Sequence, residues 1–356
     1  MIEKKLTIIV LLKGRPHFTK RIINFYIKSN LKYNLFFADG GKKSIYKEDL
    51  KILKKNKVKF IYKKFRFDKN LNIFIKKISS SLDLIKTKYT MLFDNDDIPL
   101  NFTINQCLLK LEKNKDLRGC GGYLVNFQLL KHYAKNNNCE GEMINFSKMK
   151  YGNYYNSNDK YNRVKNYYVK KDINTFNDIF HTNYLRKTYS IISKFRFNYL
   201  YFYFILADSL NYYSGKILKL NLPFAFHQSH EESYSIKNLS ILEVIRSKKF
   251  LSEKQLFYEK FNRIFKDKKI FIYLKNYFKI LEKKAISHNH FKIRNNKLNF
   301  VHFNKFKYIL KKICKPLVSL LFCKFKKNHF NEFNKLYKNK NIINQFKNIF
   351  MFLKNG

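Results

Sequence analysis

The sequence predicts an α/β fold in which helices flank a mostly parallel sheet. Apolar runs of strand length alternate with segments of helical periodicity four times in the first hundred residues. The first run, Leu6–Leu12, is apolar or β-branched at every position, which is typical of a strand buried on both faces of a parallel sheet. The fourth run ends abruptly in a group of acidic residues that begins at Asp94. Since parallel strands joined by a helix are nearly always connected in a right-handed sense, we expect a right-handed α/β sheet.

The elements of this sheet are predicted in chain order from apolar periodicity. We expect strands at Leu6–Leu12, Tyr33–Ala38, Val58–Tyr62 and around Met91–Phe93, and helices at Phe18–Ser29, Lys47–Lys55 and Leu71–Ile85. We also expect a helix at Thr103–Asn114, a strand at Gly119–Phe127, a helix at Tyr199–Tyr213 and a short strand at Gly215–Leu220. Leu130–Asp172 is rich in Asn, Tyr and Lys and has weak periodicity, so we predict a variable flap there.

The composition of the chain changes near residue 235. We predict a sheet domain over residues 1–235 and a basic, mainly helical region over residues 236–356. The second region holds 30 basic and 6 acidic residues, which is half of the chain's net charge of +48. Its apolar residues recur at helical spacing, as at Leu256, Phe257 and Phe261. These helices either pack on the sheet domain or form a small domain of their own.

Charge and cysteine content narrow the class of protein. A net charge of +48 is typical of proteins that bind nucleic acid or an anionic membrane. Lys, Asn, Ile, Phe and Tyr are abundant throughout the chain, as a biased coding sequence would produce, so the charge alone does not identify a partner. The five cysteines show no C-x-x-C spacing, which favours a reduced cytoplasmic chain over a disulfide framework or a zinc site. No apolar run approaches the roughly 18 residues of a membrane span.

The acidic residues after the fourth run are candidate metal ligands. Asp94 and Asp96 are two positions apart, so in an extended chain they share a face. Two carboxylates together with substrate phosphates are a suitable ligand set for Mg²⁺ or Mn²⁺. The alternative is a strand followed by an ordinary turn, because Asp and Asn favour turns. His227 and His230 are either further metal ligands or core and surface histidines.

Open α/β sheets bind ligands at the carboxyl ends of their strands. Asp39 follows the second predicted strand, and Lys13-Gly14-Arg15 follows the first. Basic groups and carboxylates are therefore expected to meet at one edge of the sheet, which suits a phosphate ligand. Asp39, which precedes two glycines, is otherwise a turn aspartate.

Three motifs in this order resemble family-2-like glycosyltransferases, which have the GT-A fold and use nucleotide-activated sugars. The motifs are Leu-Lys-Gly-Arg-Pro-x-Phe-Thr-Lys-Arg from Leu12, Ala-Asp-Gly-Gly from Ala38, and Tyr-Thr-Met-Leu-Phe-Asp-Asn-Asp-Asp from Tyr89. The resemblance covers roughly Leu6 to Tyr234. Near its end the family has Arg-Gln, whereas this chain has His227-Gln228, so a phosphate contact at this position does not carry over.

The resemblance implies roles for individual residues. Asp39 would hydrogen-bond the nucleobase, and Arg15 would lie near the nucleotide. Asp94 would face the ribose and the metal, Asp96 would bind the metal at the diphosphate, and we add His230 as a candidate metal ligand. Asp208 would be the catalytic base, with Asp178 in the acceptor-side segment as the next candidate. As structural alternatives, Asp208 is a solvent-facing residue of an amphipathic helix and Asp178 is a helix cap.

These roles imply an inverting, metal-dependent glycosyltransferase of polysaccharide biosynthesis. Its donor would be a nucleotide-sugar, and its acceptor would be a saccharide or a lipid-linked saccharide. The predicted flap would select the acceptor. The alternatives are a basic nucleic-acid-binding protein and an inactive sugar-nucleotide-binding scaffold. The lysines of the C-terminal region and the apolar segment Pro316–Phe322 also suggest peripheral contact with the inner face of a membrane, which liposome sedimentation would test.

Overall fold

A nine-stranded sheet lies at the centre of the structure, which is a computed structural model. It describes residues 2–43, 45, 47–129, 143–148, 157–170, 175–230, 240–299 and 340–355. The strands are β1 (Leu6–Leu12), β2 (Asn34–Asp39), β3 (Phe60–Lys64), β4 (Tyr89–Asp94), β5 (Ile98–Pro99), β6 (Leu117–Leu129), β7 (Met143–Lys148), β8 (Ile179–His181) and β9 (Lys216–Gln228). Their spatial order is β3-β2-β1-β4-β8-β6-β9-β5, and β7 pairs with β6.

The first four strands form the parallel part of the sheet. β2 pairs with β3, and β1 lies between β2 and β4, all in parallel. Every residue of β1 is buried, as its uninterrupted apolar sequence predicts for a central strand. In the register of these strands Leu12 is opposite Asp39, and Leu11 is opposite Asp94. The carboxyl ends of β2 and β4 therefore flank the end of β1.

The rest of the sheet mixes directions. β8 is antiparallel to both β4 and β6, β6 is parallel to β9, and β5 is antiparallel to β9. The predicted α/β class is confirmed, and the predicted parallel order holds for β1 to β4. The two-residue strand β5 has a specific consequence, because its pairing of Ile98 with Phe226 brings the acidic turn after β4 beside the end of β9.

Helices cover both faces of the sheet. They are α1 (Pro16–Lys28), α2 (Lys47–Lys55), α3 (Leu71–Asp83), α4 (Asn101–Lys113), α5 (Lys160–Lys170), α6 (Thr182–Ile192), α7 (Leu200–Ser214), α8 (Ile241–Val244), α9 (Lys248–Phe265), α10 (Lys268–Asn299) and α11 (Lys340–Asn355). The helices predicted before residue 115 all occur, with ends shifted by no more than two residues. Leu130–Asp172, which we interpreted as a long loop that forms a variable flap, contains two described elements, β7 and α5.

The helices after residue 240 share the two cores of the sheet domain. Phe250, Phe257 and Phe278 of α9 and α10 pack with Phe202 of α7. On the other side of the sheet, α11 buries four apolar residues in the core that β1 and α4 line: Ile342, Phe346, Ile349 and Leu353. Of the two predicted arrangements, the described helices adopt the packed one. Pro316–Phe322 lies outside the described residues, and within them no helix is both long and apolar enough to span a bilayer.

Candidate active site at the carboxyl edge of the sheet

The turn between β1 and α1 places the first basic side chain of the site. Gly14 has φ 98° and Arg15 has φ 57°, so two consecutive residues are left-handed before Pro16 begins α1. Glycine adopts such a conformation at little cost, but for a non-glycine residue it is uncommon and is kept only where the surroundings enforce it. The contacts of the Arg15 guanidinium with the acidic turn after β4 hold this residue in the left-handed conformation.

Arg15 and His230 together enclose the carboxylate of Asp96. Arg15 Nη1 donates to Asp96 Oδ2 at 2.6 Å and Nη2 approaches Oδ1 at 3.2 Å, while His230 Nε2 is 2.7 Å from Oδ2. Arg15 Nη2 also donates to Asn95 Oδ1 at 2.7 Å. Burial alone would raise the pKa of Asp96, but His230 and Arg15 hold it well below its usual range. Asp96 is therefore a fixed anion, with the guanidinium of Arg15 on both of its oxygens.

Asp97 forms a second ion pair at the same edge. Its carboxylate is 1% exposed and lies 2.7 Å from His227 Nδ1. The charge of Asp97 raises the pKa of His227 to about 9, so the imidazole is protonated at neutral pH. The neighbouring Gln228 accepts a hydrogen bond from the buried Arg21, whose Nη2 also donates to the backbone oxygen of Asp96 at 2.7 Å.

Asp94 differs from its two acidic neighbours. Its side chain is partly exposed, and no described residue donates a hydrogen bond to it. Burial raises the pKa of Asp94 to about 7, and the charges of Asp96 and Asp97 contribute to the rise. The acidic turn thus holds carboxylates of two kinds: two paired with cations, and one without a partner that changes protonation near neutral pH.

The predicted metal ligands do not form a metal site in this arrangement. Asp96 directs both oxygens to Arg15, and the ring nitrogen of His230 that would bind a metal faces Asp96 instead. Over the part of the chain that the structure describes, no group of three or more His, Cys, Asp or Glu side chains could hold a metal ion. The metal roles of Asp94, Asp96 and His230 stay predictions, and the residues as placed do not fit them.

A cavity of about 480 Å³ opens beside this cluster, over the carboxyl ends of β1 and β2. Its lining combines apolar, basic and acidic groups: Leu12, Lys13, Gly14, Pro16, Thr19, Asp39, Lys42, Lys43, Ile45, Asp49 and Phe67. Asn95 connects the cavity to the acidic turn, because its Nδ2 donates to Thr19 Oγ1 at 3.0 Å. The volume lies within the range of small-molecule sites in proteins, about 300–1,000 Å³.

Asp39 lines this cavity, as predicted from its place at a strand end, but its carboxylate is already bound by the chain itself. Oδ1 accepts from the backbone N–H of Gly41 at 2.8 Å. Oδ2 accepts from Tyr62 Oη at 2.7 Å and from the N–H of Ile45 at 3.2 Å, and Lys64 Nζ is 3.4 Å away. These contacts order the loop after β2, and they leave little acceptor capacity for a ligand.

Asp208 lies deeper in the protein, on α7. It is 4% exposed, so the alternative of a solvent-facing helix residue is wrong. Its Oδ1 accepts from Thr175 Oγ1 at 2.5 Å and from the backbone N–H of Thr175 at 3.1 Å, and no described residue donates to Oδ2. Burial raises the pKa of Asp208 to about 7. It lines a cavity of about 10 Å³, which is roughly the space of one water molecule.

Asp178, the other candidate base, is held by Lys219 on β9. Lys219 Nζ donates to Asp178 Oδ1 at 2.5 Å, and both side chains are buried. A Cβ at Gly121 would lie 1.9 Å from this oxygen, so only glycine permits the approach of β6. The charge of Asp178 contributes to the raised pKa of Asp208, and both carboxylates respond to the charge of Lys219.

Tyr189 of α6 is within electrostatic range of one carboxylate from each group. Burial raises the pKa of this tyrosine, and the charges of Asp208 and Asp94 add to the rise. The structure therefore brings Arg15, Asp94, Asp96 and His230 together at the sheet edge, whereas Asp208 lines the small cavity that it shares with Tyr189.

Several site residues were missed by the sequence interpretation. Thr175 and Lys219, the partners of the candidate bases, carry no motif. Arg21 did leave a signal, because it lies at helical spacing from Phe18 and Phe25 on the apolar face of α1. Asp49, which lines the large cavity, lies in a segment that was read only as a helix.

Comparison with known proteins finds similarity in structure alone. No protein-family model matches the chain, and no curated protein matches it. Solved structures of S. aureus TarS resemble this one at low identity. TarS 1–349 is 14% identical with a TM-score of 0.40, covering 74% of this chain and 72% of TarS 1–349. Its complex with UDP-GlcNAc is 15% identical with a TM-score of 0.41, covering 73% and 72%. At such values, function has to be argued from the chain's own residues.

Proposed function

We propose that this protein is a glycosyltransferase that moves a sugar from a nucleoside-diphosphate sugar to a hydroxyl group of an acceptor. The observation that carries the proposal is the cavity of about 480 Å³ at the carboxyl ends of β1 and β2, with ion-paired aspartates of the β4 end at its side. Ligand sites of open α/β sheets lie at this edge. A nucleotide matches both the volume of the cavity and the mixed chemistry of its lining.

The phosphates of the donor would be held by groups around the start of α1. Lys13, Lys42 and Lys43 line the cavity and are exposed, so their ammonium groups can meet an anion there. Pro16 and Thr19 of the first helical turn also line it, and the dipole of the helix favours an anion at this end. Asp94, which has no partner among the described residues, is available to accept a hydrogen bond from a donor hydroxyl, as its implied ribose role requires.

The transfer itself is an inverting displacement. The acceptor oxygen bonds to the anomeric carbon while the bond from that carbon to the diphosphate oxygen breaks, and the acceptor proton passes to a carboxylate. Asp208 is the candidate for this carboxylate, because a pKa of about 7 suits a base that works at neutral pH. Asp178 is less suitable, since it is bound to Lys219. The acceptor would be a saccharide or a lipid-linked saccharide, as expected for polysaccharide biosynthesis.

Arg15 occupies the Asp96 carboxylate that was expected to bind Mg²⁺ or Mn²⁺. Its guanidinium holds Asp96 through two nitrogens, and His230 completes the pairing. In this proposal the basic side chains of the cavity balance the negative charge of the departing diphosphate. No step is assigned to a metal.

Isothermal titration of the full chain with UDP, GDP, CDP and ADP tests the donor site. We expect saturable binding of at least one of them, and hydrolysis or transfer of a sugar from the matching sugar nucleotide. Binding without turnover would instead indicate an inactive scaffold. If oligonucleotides bind in a strongly salt-dependent manner and no nucleoside diphosphate binds, the protein is a nucleic-acid-binding protein and the proposal is overturned.

A further inference from the structure

A chain of three hydrogen bonds leads from α6 to the carboxylate of Asp208. Thr188 Oγ1 donates to Asn211 Oδ1 at 2.8 Å, and Asn211 Nδ2 donates to Thr175 Oγ1 at 2.9 Å. Thr175 Oγ1 in turn donates to Asp208 Oδ1 at 2.5 Å. All four side chains are buried. Asn211 follows Asp208 by three residues on α7, so the two side chains share a face of that helix.

The chemistry of these groups gives the chain one direction. A side-chain amide donates through its nitrogen and accepts through its oxygen, and a hydroxyl has a single proton. Because the proton of Thr188 lies on the oxygen of Asn211, the nitrogen of this amide faces Thr175. Thr175 Oγ1 accepts from that nitrogen, so its own proton is left for Asp208.

The two oxygens of Asp208 therefore differ. Thr175 directs two donors at Oδ1, its hydroxyl at 2.5 Å and its backbone N–H at 3.1 Å, whereas Oδ2 receives no donor from the described part of the chain. A proton is disfavoured on an oxygen that two donors already face. The exchangeable proton of Asp208 is thus expected on Oδ2.

The packing of α6 against α7 does not require this polar chain. Replacing both members of a buried hydrogen-bonded pair by apolar groups of the same shape is nearly neutral for stability, whereas a buried polar group that loses its partner is costly. Leu185 of α6 and Leu206 of α7 lie in the same apolar core, so apolar side chains already serve these two helices. The polar chain ends at a carboxylate, which points to a role in the ionisation of that group.

On the basis of the proposed function, we propose that Asn211 and Thr188 are positioning residues of the candidate base. They hold the hydroxyl of Thr175 as a donor to Oδ1 of Asp208, which stabilises the ionised carboxylate and leaves Oδ2 to take the proton of the acceptor hydroxyl. As this proton moves to Oδ2, the acceptor oxygen bonds to the anomeric carbon, and the diphosphate leaves with the electron pair of the broken bond. Both residues act through Thr175 and not on the reacting atoms.

Other groups also act on the ionisation of Asp208. The charge of Lys219 on β9 favours the ionised form, and the charge of Asp178 opposes it. Burial raises the pKa of three tyrosines of α5 and α6 that the charge of Asp208 also reaches, so they stay neutral: Tyr167, Tyr168 and Tyr189. A substitution at Thr188 changes none of these groups, so its effect on the pKa of Asp208 reports on the hydrogen-bonded chain.

The pKa of Asp208 in the full chain tests the proposal without a substrate. It can be followed by ¹³C NMR of the aspartate carboxyl groups, with the signal assigned by its loss in Asp208→Asn. In Thr175→Val this pKa should rise by about one pH unit, because a hydrogen bond to the charged form is lost. In Thr188→Val it should rise by about 0.5 pH units, since the amide of Asn211 is no longer held in one orientation.

Conservative variants and a matched substitution on the same helix are the controls. Thr175→Ser and Thr188→Ser keep the hydroxyl groups and should titrate as the wild type does. Thr182→Val also removes a buried hydroxyl from α6, one that is hydrogen-bonded to Thr90 and not to the chain, and it should leave the pKa of Asp208 unchanged. Urea unfolding checks that each variant is folded, and Thr188→Ala replaces Thr188→Val if the latter is not.

The pH profile of sugar transfer separates positioning from a merely structural role. The base has to be ionised, so kcat/KM should rise with pH through the pKa of Asp208. In Thr188→Val the rate should be about threefold lower at pH 6 and equal to the wild type at pH 9, as a shift of about 0.5 pH units requires.

An unchanged pKa of Asp208 in folded Thr175→Val and Thr188→Val overturns the assignment of the positioning residues, and so does a rate that falls equally at every pH. A pKa that shifts as expected in a protein that transfers no sugar overturns the proposed function alone, because the effect of the chain on Asp208 is then measured and the reaction is absent.

Discussion

Asp96 at the sheet edge and Asp208 on α7 are buried to a similar extent, yet they differ in ionisation. Asp96 is 4% exposed and so is Asp208. Arg15 and His230 keep the pKa of Asp96 low, whereas the hydrogen bonds of Thr175 and the charge of Lys219 only partly offset the burial of Asp208, so its pKa rises to about 7. Burial has the same sign at both positions, so the cationic partners decide the outcome. Asp96 therefore stays ionised and holds its cationic partner in place, whereas Asp208 can exchange a proton near neutral pH.

The largest effect is expected where the exchangeable proton is removed. Asp208→Asn keeps the size of the side chain but cannot take a proton from the acceptor, so sugar transfer should fall by about two or more orders of magnitude. Nucleotide binding should hardly change, because Asp208 does not line the large cavity. Initial rates with the donor that the wild type uses, together with calorimetry, measure both quantities.

The matched control is Asp116→Asn, at an exposed acid whose ion pair with Lys216 lies on the surface. Exposed pairs contribute little, so this variant should retain wild-type rates. If Asp208→Asn also retains them, the base is elsewhere, and the same substitution at Asp178 is the next one to measure.

A smaller effect is expected from removing the cation at the sheet edge. In Arg15→Ala, Asp96 keeps only His230, so the free energy of unfolding should fall by about 2 kcal/mol and nucleotide affinity should fall about tenfold. The freed oxygens would also let Asp94, Asp96 and His230 approach a metal. Mn²⁺ binding, followed by electron paramagnetic resonance, should therefore be stronger in the variant than in the wild type.

The opposite result would support the metal ligands expected from the sequence. Tight Mn²⁺ binding by the wild type that Asp96→Asn abolishes would show that Arg15 gives way to the metal. Arg15→Lys serves as the control for charge, since a lysine retains the positive charge but cannot bind both oxygens of Asp96 in a planar fork.

The sequence predicts strand ends better than it predicts partners. Leu6–Leu12 is a strand with the predicted ends, because an unbroken apolar run leaves few alternatives. Asp39 and Asp94 reach one edge for the same reason, since neighbouring parallel strands end together. The ion pair of Arg15 with Asp96 depends on a left-handed turn at Arg15, and the pair of Asp178 with Lys219 depends on the pairing of β6 with β9. Contacts between residues tens of positions apart have no periodicity that a sequence would show.

The last prediction concerns stability rather than activity, and it tests the ionisation of Asp208 through its dependence on pH. Asp208 has a pKa of about 7 in the folded protein, against about 3.9 in an unfolded chain. Between these values the folded state holds a proton that the unfolded state has lost, so the stabilising effect of this proton declines as pH rises from about 4 to about 7. The slope is at most about 1.4 kcal/mol per pH unit.

Urea unfolding of the wild type and of Asp208→Asn at pH 5.0, 6.0 and 7.5 measures this slope. The difference in the free energy of unfolding between the variant and the wild type should grow toward pH 7.5, because the amide never has to ionise in its buried place. Asp94 has the same raised pKa and is present in both proteins, so the variant should keep part of the slope. A constant difference across this range would show that Asp208 is already ionised at pH 5 and is not the group that exchanges a proton near neutral pH.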